Sequence, residues 1–283
     1  MTHPAIAPGR VAVVMGSASG IGLAAAKHFA SAGMKVCMAD AAADRLAASA
    51  SEVAALAPGG ADDVLAAPVD VSDMDQVQAF KGRVYETFGE VAVLMNNAGI
   101  GRGGGAFDHY GRWKTLMAVN LWGVINGVHA FTEAMIAQET DGAIINTGSK
   151  QGITNPPGDA AYNVTKAGIK AATEHLAHQL RNIDGCRVTA HLLIPGFTYT
   201  GISAQRPEGK PPGAWTAEQV VDEMLAGLGR RDFYILCPDN DVTRAMDEKR
   251  IQWMADDLIQ NRPALSRWHP AYKEAFAAWM AKR

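Results

Sequence analysis

The chain has 283 residues, a mass of 30.0 kDa and 48% hydrophobic residues, enough to bury a large core in one domain or two small ones. A formal net charge of -3 and a pI of about 6.2 exclude a basic field for nucleic acid or an anionic membrane surface. No apolar run approaches the ~18 residues of a membrane span, and Cys37, Cys186 and Cys237 show no metal or CxxC spacing, which reads as three reduced, buried thiols in a cytoplasmic protein.

Residues 1–10 lack an apolar core of signal-peptide length and read as a short, frayed leader. Residues 11–15 form an apolar strand that runs into a glycine-rich turn. A helix follows over 21–31, with Ile21, Ala25 and Phe29 on one face and Gly33 as its stop. Strands are expected at 35–39, ending on Asp40, and at 64–69, ending on Asp70. A helix through Val77 and Tyr85 leads to a strand at 91–95. Helix covers much of 113–138, then strand 143–146, helix 162–180 and strand 187–194. A helix from Thr216 precedes a last strand at 233–237. Seven strands separated by helices indicate a parallel sheet covered on both faces. The expected architecture is therefore α/β, a single doubly wound Rossmann-type domain over 1–283, with its core at 9–238 and extra C-terminal helices in 239–283. The Gly/Pro-rich stretch 201–214 reads as a loop inside that domain.

Gly16-Ser17-Ala18-Ser19-Gly20-Ile21-Gly22 joins the first strand to the first helix. Glycines there permit a tight turn and close approach of backbone to a pyrophosphate, while Ser19, Gly20 and Ile21 open a helix N-terminus that favours an anion. Asp40, at the end of the second strand, is placed to accept hydrogen bonds from the adenine ribose hydroxyls and to repel a 2′-phosphate. Its neighbours Ala39, Ala41 and Ala42 supply no arginine to offset it. These features point to NAD(H) in preference to NADP(H) as cofactor.

From about Val11 to Cys237 the sequence resembles the classical short-chain dehydrogenase/reductase family. The resemblance rests on Gly16, Gly20 and Gly22 in a Gly-x-x-x-Gly-x-Gly turn, Asp70 with Val71, and Asn96-Asn97-Ala98-Gly99. Asn120, Ser149 and Tyr162-Asn163-Val164-Thr165-Lys166 carry it further, as does Pro195-Gly196-Phe197-Thr198-Tyr199-Thr200. It implies that Asn120, Ser149, Tyr162 and Lys166 are catalytic. It further implies that Asp70 and Val71 bind the adenine, that Asn97, Ala98 and Gly99 line the cofactor site, and that Pro195, Gly196, Thr198 and Thr200 contact the nicotinamide end. Met15 stands where threonine is usual, Lys150 where a small residue is more common, and Thr198 where valine is frequent. Lys150 is expected to point to solvent.

Tyr162 and Lys166, four apart on a helix, share a face. An ammonium there, with the positive nicotinamide of the oxidised cofactor, favours the phenolate of a tyrosine whose ordinary pKa is near ~10. Tyr162 can then take the alcohol proton as hydride leaves carbon, and return it in the reverse direction. The Ser149 hydroxyl can hydrogen-bond the substrate oxygen, and the resemblance gives Asn120 a water that links Lys166 to solvent. The expected reaction interconverts a secondary alcohol and its ketone. The rival readings are a non-catalytic NAD(H)-binding sensor and an enzyme that uses bound NAD internally, such as an epimerase. The resemblance implies a homo-oligomer, a tetramer or dimer formed through the helices around Asn120 and Tyr162. The partners expected are thus a small alcohol or ketone and further copies of the chain, with no nucleic acid, membrane or metal.

The segment 197–214 contains Phe197, Tyr199 and Ile202. Gly201 and Gly209 act as hinges, and Pro207, Pro211 and Pro212 stiffen the far half. Such a loop can close over the reacting carbon, and its composition predicts a mainly apolar or aromatic substrate against Phe197 and Tyr199, with Arg206 facing solvent. Val242, Met246, Ile251, Met254 and Leu258 predict a further helix beyond the last strand. That tail packs on its own domain or a partner, and is also expected to narrow the pocket entrance.

Overall fold

The computed structural model describes residues 2–101, 103–200 and 209–282. Its centre is a seven-stranded parallel sheet. The elements run β1 (Val11–Met15), α1 (Gly20–Ser31), β2 (Lys35–Asp40), α2 (Ala43–Ala54), β3 (Val64–Pro68), α3 (Met74–Phe88) and β4 (Val93–Asn96). They continue with α4 (Tyr110–Leu116), α5 (Gly123–Ala137), β5 (Gly142–Thr147), α6 (Gln151–Thr154), α7 (Ala160–Arg181), β6 (Val188–Ile194), α8 (Ala217–Arg230), β7 (Tyr234–Leu236), α9 (Arg244–Ile259) and α10 (Lys273–Ala281). The strand order is β3-β2-β1-β4-β5-β6-β7. The chain reverses direction across the sheet between β1 and β4, and that switch point opens the crevice in which such sheets bind ligands. Register aligns Met15 with Asn96 and Asn96 with Asn146, so the residues that follow these strands emerge side by side.

Both faces of the sheet are covered, which explains why the central strands are apolar on both sides. One face packs Val14 and Val36 under Phe29 of α1 and Val220 and Met224 of α8. The other packs Val13 and Leu94 under Phe80 of α3 and Phe131 and Met135 of α5.

Four sequence expectations need correction. Helix α2 was not foreseen, although Leu46 and Val53, both buried, lie at helical spacing on its inner face. The expected helix over 113–138 is two helices joined by a π-helical turn at Met117–Trp122, an arrangement that recurs at functional sites. The leader is not frayed, because His3, Ala5 and Ile6 are buried and Gly9 donates to the Gly33 carbonyl. Finally, α9 does not bury the foreseen stripe: Leu258 is 87% exposed, and the buried positions are Asp247 and Trp253. Trp253 stacks with Arg262 and meets Phe276 and Trp279 edge-on or tilted, so the tail folds around one tryptophan. Among the described residues no helix is long and apolar enough to cross a membrane.

Candidate active site

The loops at the C-terminal ends of the central strands enclose a cavity of about 980 Å³. At one end the turn after β1 begins at Gly16, whose φ of +83° suits glycine and whose added Cβ would lie 2.5 Å from Ala98 Cα. Gly22 sits behind the wall, where a Cβ would come within 2.0 Å of the Gly16 carbonyl oxygen. It lets α1 pack against the turn rather than touching a ligand. Gly20 packs on Thr200. Ser19, the N-cap of α1, makes no side-chain capping bond, and Ser19, Gly20 and Ile21 all line the cavity. A helix N-terminus without a side-chain cap, opening on such a space, suits a phosphate.

Asp40 lines the same end. Its two oxygens accept from the Ala18 and Ala42 N–H groups, each at 3.0 Å, which holds the carboxylate in place. Arg45, in the first turn of α2, also lines the cavity. It was missed along with α2, because it lies beyond the immediate neighbours of Asp40. Asp70 and Val71 line the adjoining wall. Asp70 Oδ1 accepts from the N–H and hydroxyl of Ser72. The residues Asn97, Ala98 and Gly99 form the floor, and Asn97 Nδ2 donates to the Gly16 carbonyl while its Oδ1 accepts from Thr147. These donors, the bare helix end and the size of the cavity fit a dinucleotide.

At the other end stand Ser149, Tyr162 and Lys166, all lining the cavity. Ser149 follows β5; Tyr162 and Lys166 lie one turn apart on α7, with the Lys166 Nζ 5.6 Å from the Tyr162 ring centre. Lys166 is 4% exposed and donates to the Thr147 carbonyl at 2.8 Å. Burial pushes its pKa down to about 8. Burial pushes Tyr162 up, against a lowering hydrogen bond with the Ser149 hydroxyl and with Asp159 raising it further. Lost solvation at the phenol thus outweighs the lowering contact that the protein itself supplies.

Asn120 lies in the π-helical turn and is fully buried behind the wall. Its Oδ1 accepts from the Ile100 N–H at 2.8 Å and its Nδ2 donates to the Ile100 carbonyl at 2.9 Å, which clamps the end of the Asn-Asn-Ala-Gly segment. Pro195, Gly196, Phe197, Thr198 and Thr200 line the cavity; Tyr199 does not, and its N–H is tied to the Trp215 carbonyl. Ile202, Arg206, Pro207 and the hinge at Gly201 lie outside the described residues. Sequence reasoning also missed Arg112, Gln151 and Asp159 on the wall; no spacing ties them to the motifs, and only the fold brings them there. Lys150 does not point to solvent, being 14% exposed and paired with Asp239 and Asp247. Among the described residues, none beyond Thr200 lines the cavity.

The short chain dehydrogenase family matches residues 10–211. The chain is similar to 1-deoxy-11-beta-hydroxypentalenate dehydrogenase of Streptomyces exfoliatus, 31% identical over 271 residues, which are 93% of this chain and 95% of that protein. Among solved structures it resembles a short chain dehydrogenase/reductase from Burkholderia phymatum in complex with NAD, at 33% identity and TM-score 0.80, covering 91% of this chain and 96% of that one. It also resembles an alcohol dehydrogenase from the archaeon Thermococcus sibiricus complexed with 5-hydroxy-NADP, at 26% identity and TM-score 0.69, covering 78% and 90%.

Proposed function

The chain belongs to the short chain dehydrogenase family, and from that premise we propose that it is an NAD(H)-dependent oxidoreductase that interconverts a secondary alcohol and its ketone. The observation that carries the reading is the meeting of Ser149, Tyr162 and Lys166 in one cavity with the glycine turn and Asp40. We read the chain as one domain, acting in the cytoplasm as a homo-oligomer built through the helices around Asn120 and Tyr162.

Tyr162 is the acid and base. In oxidation its oxygen takes the proton of the substrate hydroxyl, and in reduction it returns it. Ser149 is the hydrogen-bond donor to the substrate oxygen as charge develops there. Lys166, anchored on the Thr147 carbonyl, fixes its ammonium beside the phenol and would hold the nicotinamide ribose. The oxidised cofactor, when bound, would supply the hydride acceptor and a positive ring near the phenol. Asn120 positions the Ile100 segment and would hold a water that relays protons between Lys166 and solvent.

Preference for NAD(H) rests on the fixed carboxylate of Asp40, which would repel a 2′-phosphate. Arg45 pulls the other way from an exposed side chain, where solvent weakens it. The substrate is a secondary alcohol with an apolar or aromatic body against Phe197. Arg112, Gln151 and Asp159 on the wall make room for a hydrogen-bonding substituent as well. The test is NAD reduction screened across aryl, alicyclic and steroid-like secondary alcohols, each with and without a polar substituent. Turnover of at least one class, lost in Tyr162→Phe, is expected. NADH binding without turnover of any alcohol would favour the non-catalytic sensor instead.

A further inference from the structure

Lys150 adjoins Ser149 and breaks the expectation of a small residue there. Its Nζ lies 2.6 Å from Asp247 Oδ2 on α9 and 3.3 Å from Asp239 Oδ2 in the loop after β7. The side chains of Asp239 and Asp247 are only 6% and 3% exposed. The Asp247 contact is an ion pair without hydrogen-bond geometry. Two carboxylates so far from water repel one another unless a cation stands between them. Lys150 is that cation, with Arg250 3.9 Å from Asp247 on the outer side.

The same cluster grips the loop that follows β6. Asp239 Oδ2 accepts from the Phe197 N–H at 3.2 Å, and the Lys150 N–H donates to the Pro195 carbonyl at 3.2 Å. Gly196 lies between them. A Cβ there would sit 2.6 Å from Asp239 Oδ2 and 2.9 Å from Lys150 Nζ, so the loop and the ion pair meet only because the residue is glycine. The backbone on either side of the reacting end, at Ser149 and at Pro195–Phe197, is thus braced from one point. That point is held by α9, which contributes no described residue to the cavity wall.

We infer that Lys150 is a positioning residue: with Asp239 and Asp247 it forms a buried strut through which the C-terminal extension sets the geometry of the substrate end of the cavity. The inference rests on the dehydrogenase reading above. It also assigns Lys150 a negative role in specificity. A lone lysine beside Ser149 would draw anionic substrates, whereas one held by two carboxylates does not. The extension therefore acts on substrate range from behind the wall rather than by covering the entrance.

The experiment compares the wild type, Lys150→Met, and the charge-balanced triple variant Lys150→Met, Asp239→Asn, Asp247→Asn. For each, Tm, NADH affinity, KM and kcat for the best alcohol are measured, with hydrogen exchange at the Phe197 amide and at the Gln151 amide, which donates to the Ser149 hydroxyl at 3.1 Å. Lys150→Met should raise KM or lower kcat for the alcohol on the order of ten-fold, as small misplacements of reacting groups do, and change NADH affinity by a smaller factor. Exchange at Phe197 and Gln151 should quicken while the amides of β4 and β5 stay protected. The triple variant, freed of the uncompensated carboxylates, should recover Tm but neither the kinetics nor the exchange protection. A triple variant with wild-type Tm and wild-type kinetics would reduce the cluster to a stability element and overturn the inference. So would unchanged exchange at both amides in Lys150→Met, or in the triple variant should the single one fail to fold. If the wild type turns over no alcohol, the dehydrogenase reading fails by itself, and the exchange measurement still decides whether the strut braces these loops.

Discussion

The two ends of the cavity are built by different means. The cofactor end is made largely of backbone: the turn at Gly16–Gly22, the open N-terminus of α1 and the segment Asn97–Gly99. Asp40 acts there as a side chain, but it too is set by two local N–H groups. The reacting end is made of side chains drawn from separate parts of the chain, with Ser149 after β5, Tyr162 and Lys166 on α7, and Phe197 after β6. Asn120 stands behind them on one flank, and on the other Lys150, itself on the cavity wall, is backed by Asp239 and Asp247. Backbone fixed by short-range geometry tolerates few substitutions but binds any ligand of the right shape and charge. Side chains brought together by the fold decide which chemistry follows. Substitutions at one end should therefore leave the function of the other largely intact.

The largest effect is expected at the reacting end. Tyr162→Phe should lower kcat by about 10²- to 10⁴-fold, the range for loss of a general acid or base, with NADH affinity by fluorescence titration nearly unchanged. A variant that kept most of its turnover would break the division. The converse substitution is Gly22→Ala. Its Cβ would meet the Gly16 carbonyl at 2.0 Å, and overpacking of that kind, worth about 1–3 kcal/mol, should weaken NADH binding roughly 10- to 100-fold. kcat at saturating cofactor should fall much less. Loss of kcat with unaltered NADH affinity would show that the turn serves the chemistry and not the binding.

A smaller shift sharpens the cofactor end itself. Asp40→Ala should raise the ratio of NADP to NAD use in kcat/KM by about ten-fold, and Arg45→Ala should lower it by a few-fold. A wild type that used NADP as well as NAD would refute the part given to Asp40. The smallest effect lies outside the cavity, where it serves as a control. Burial holds His3 down to about 4 and lowers His191 as well. The unfolded chain binds these protons more readily than the folded one. The stability they contribute is therefore complete above the ordinary histidine value of 6.5 and is lost as pH falls toward about 4. Tm should decline over that window, and His3→Gln should flatten the decline without altering kcat/KM at neutral pH. An unchanged slope in that variant would remove His3 from the account.

The same contrast explains what could be read from the sequence. The seven strands, the turn and the Tyr162–Lys166 pair depend on spacings within a strand or a few helical turns, and periodicity exposes them. Asn120 and Ser149 were placed by resemblance, since nothing near them in the chain marks their role. Arg45 went unseen because α2 went unseen: a run of alanines around Leu46 and Val53 gives a weak pattern. Lys150 reads as solvent-facing in the sequence because its partners, Asp239 and Asp247, lie far along the chain, in a segment whose stripe of apolar residues suggests a different buried face. Ion pairs over such separations leave no local mark, and only the packing of α9 against α6 and the loop after β7 brings them together.

The central claim is that this cavity moves a hydride between an alcohol carbon and a nicotinamide, with Tyr162 moving the proton. It is tested most directly with an alcohol deuterated at the carbinol carbon, incubated with NAD and the wild-type enzyme, and the mass of the reduced cofactor read out. The account predicts deuterium carried into the NADH in step with the ketone formed, and none released to water. Unlabelled NADH with the deuterium in solvent, or no reduction of NAD by any alcohol tried, would contradict it.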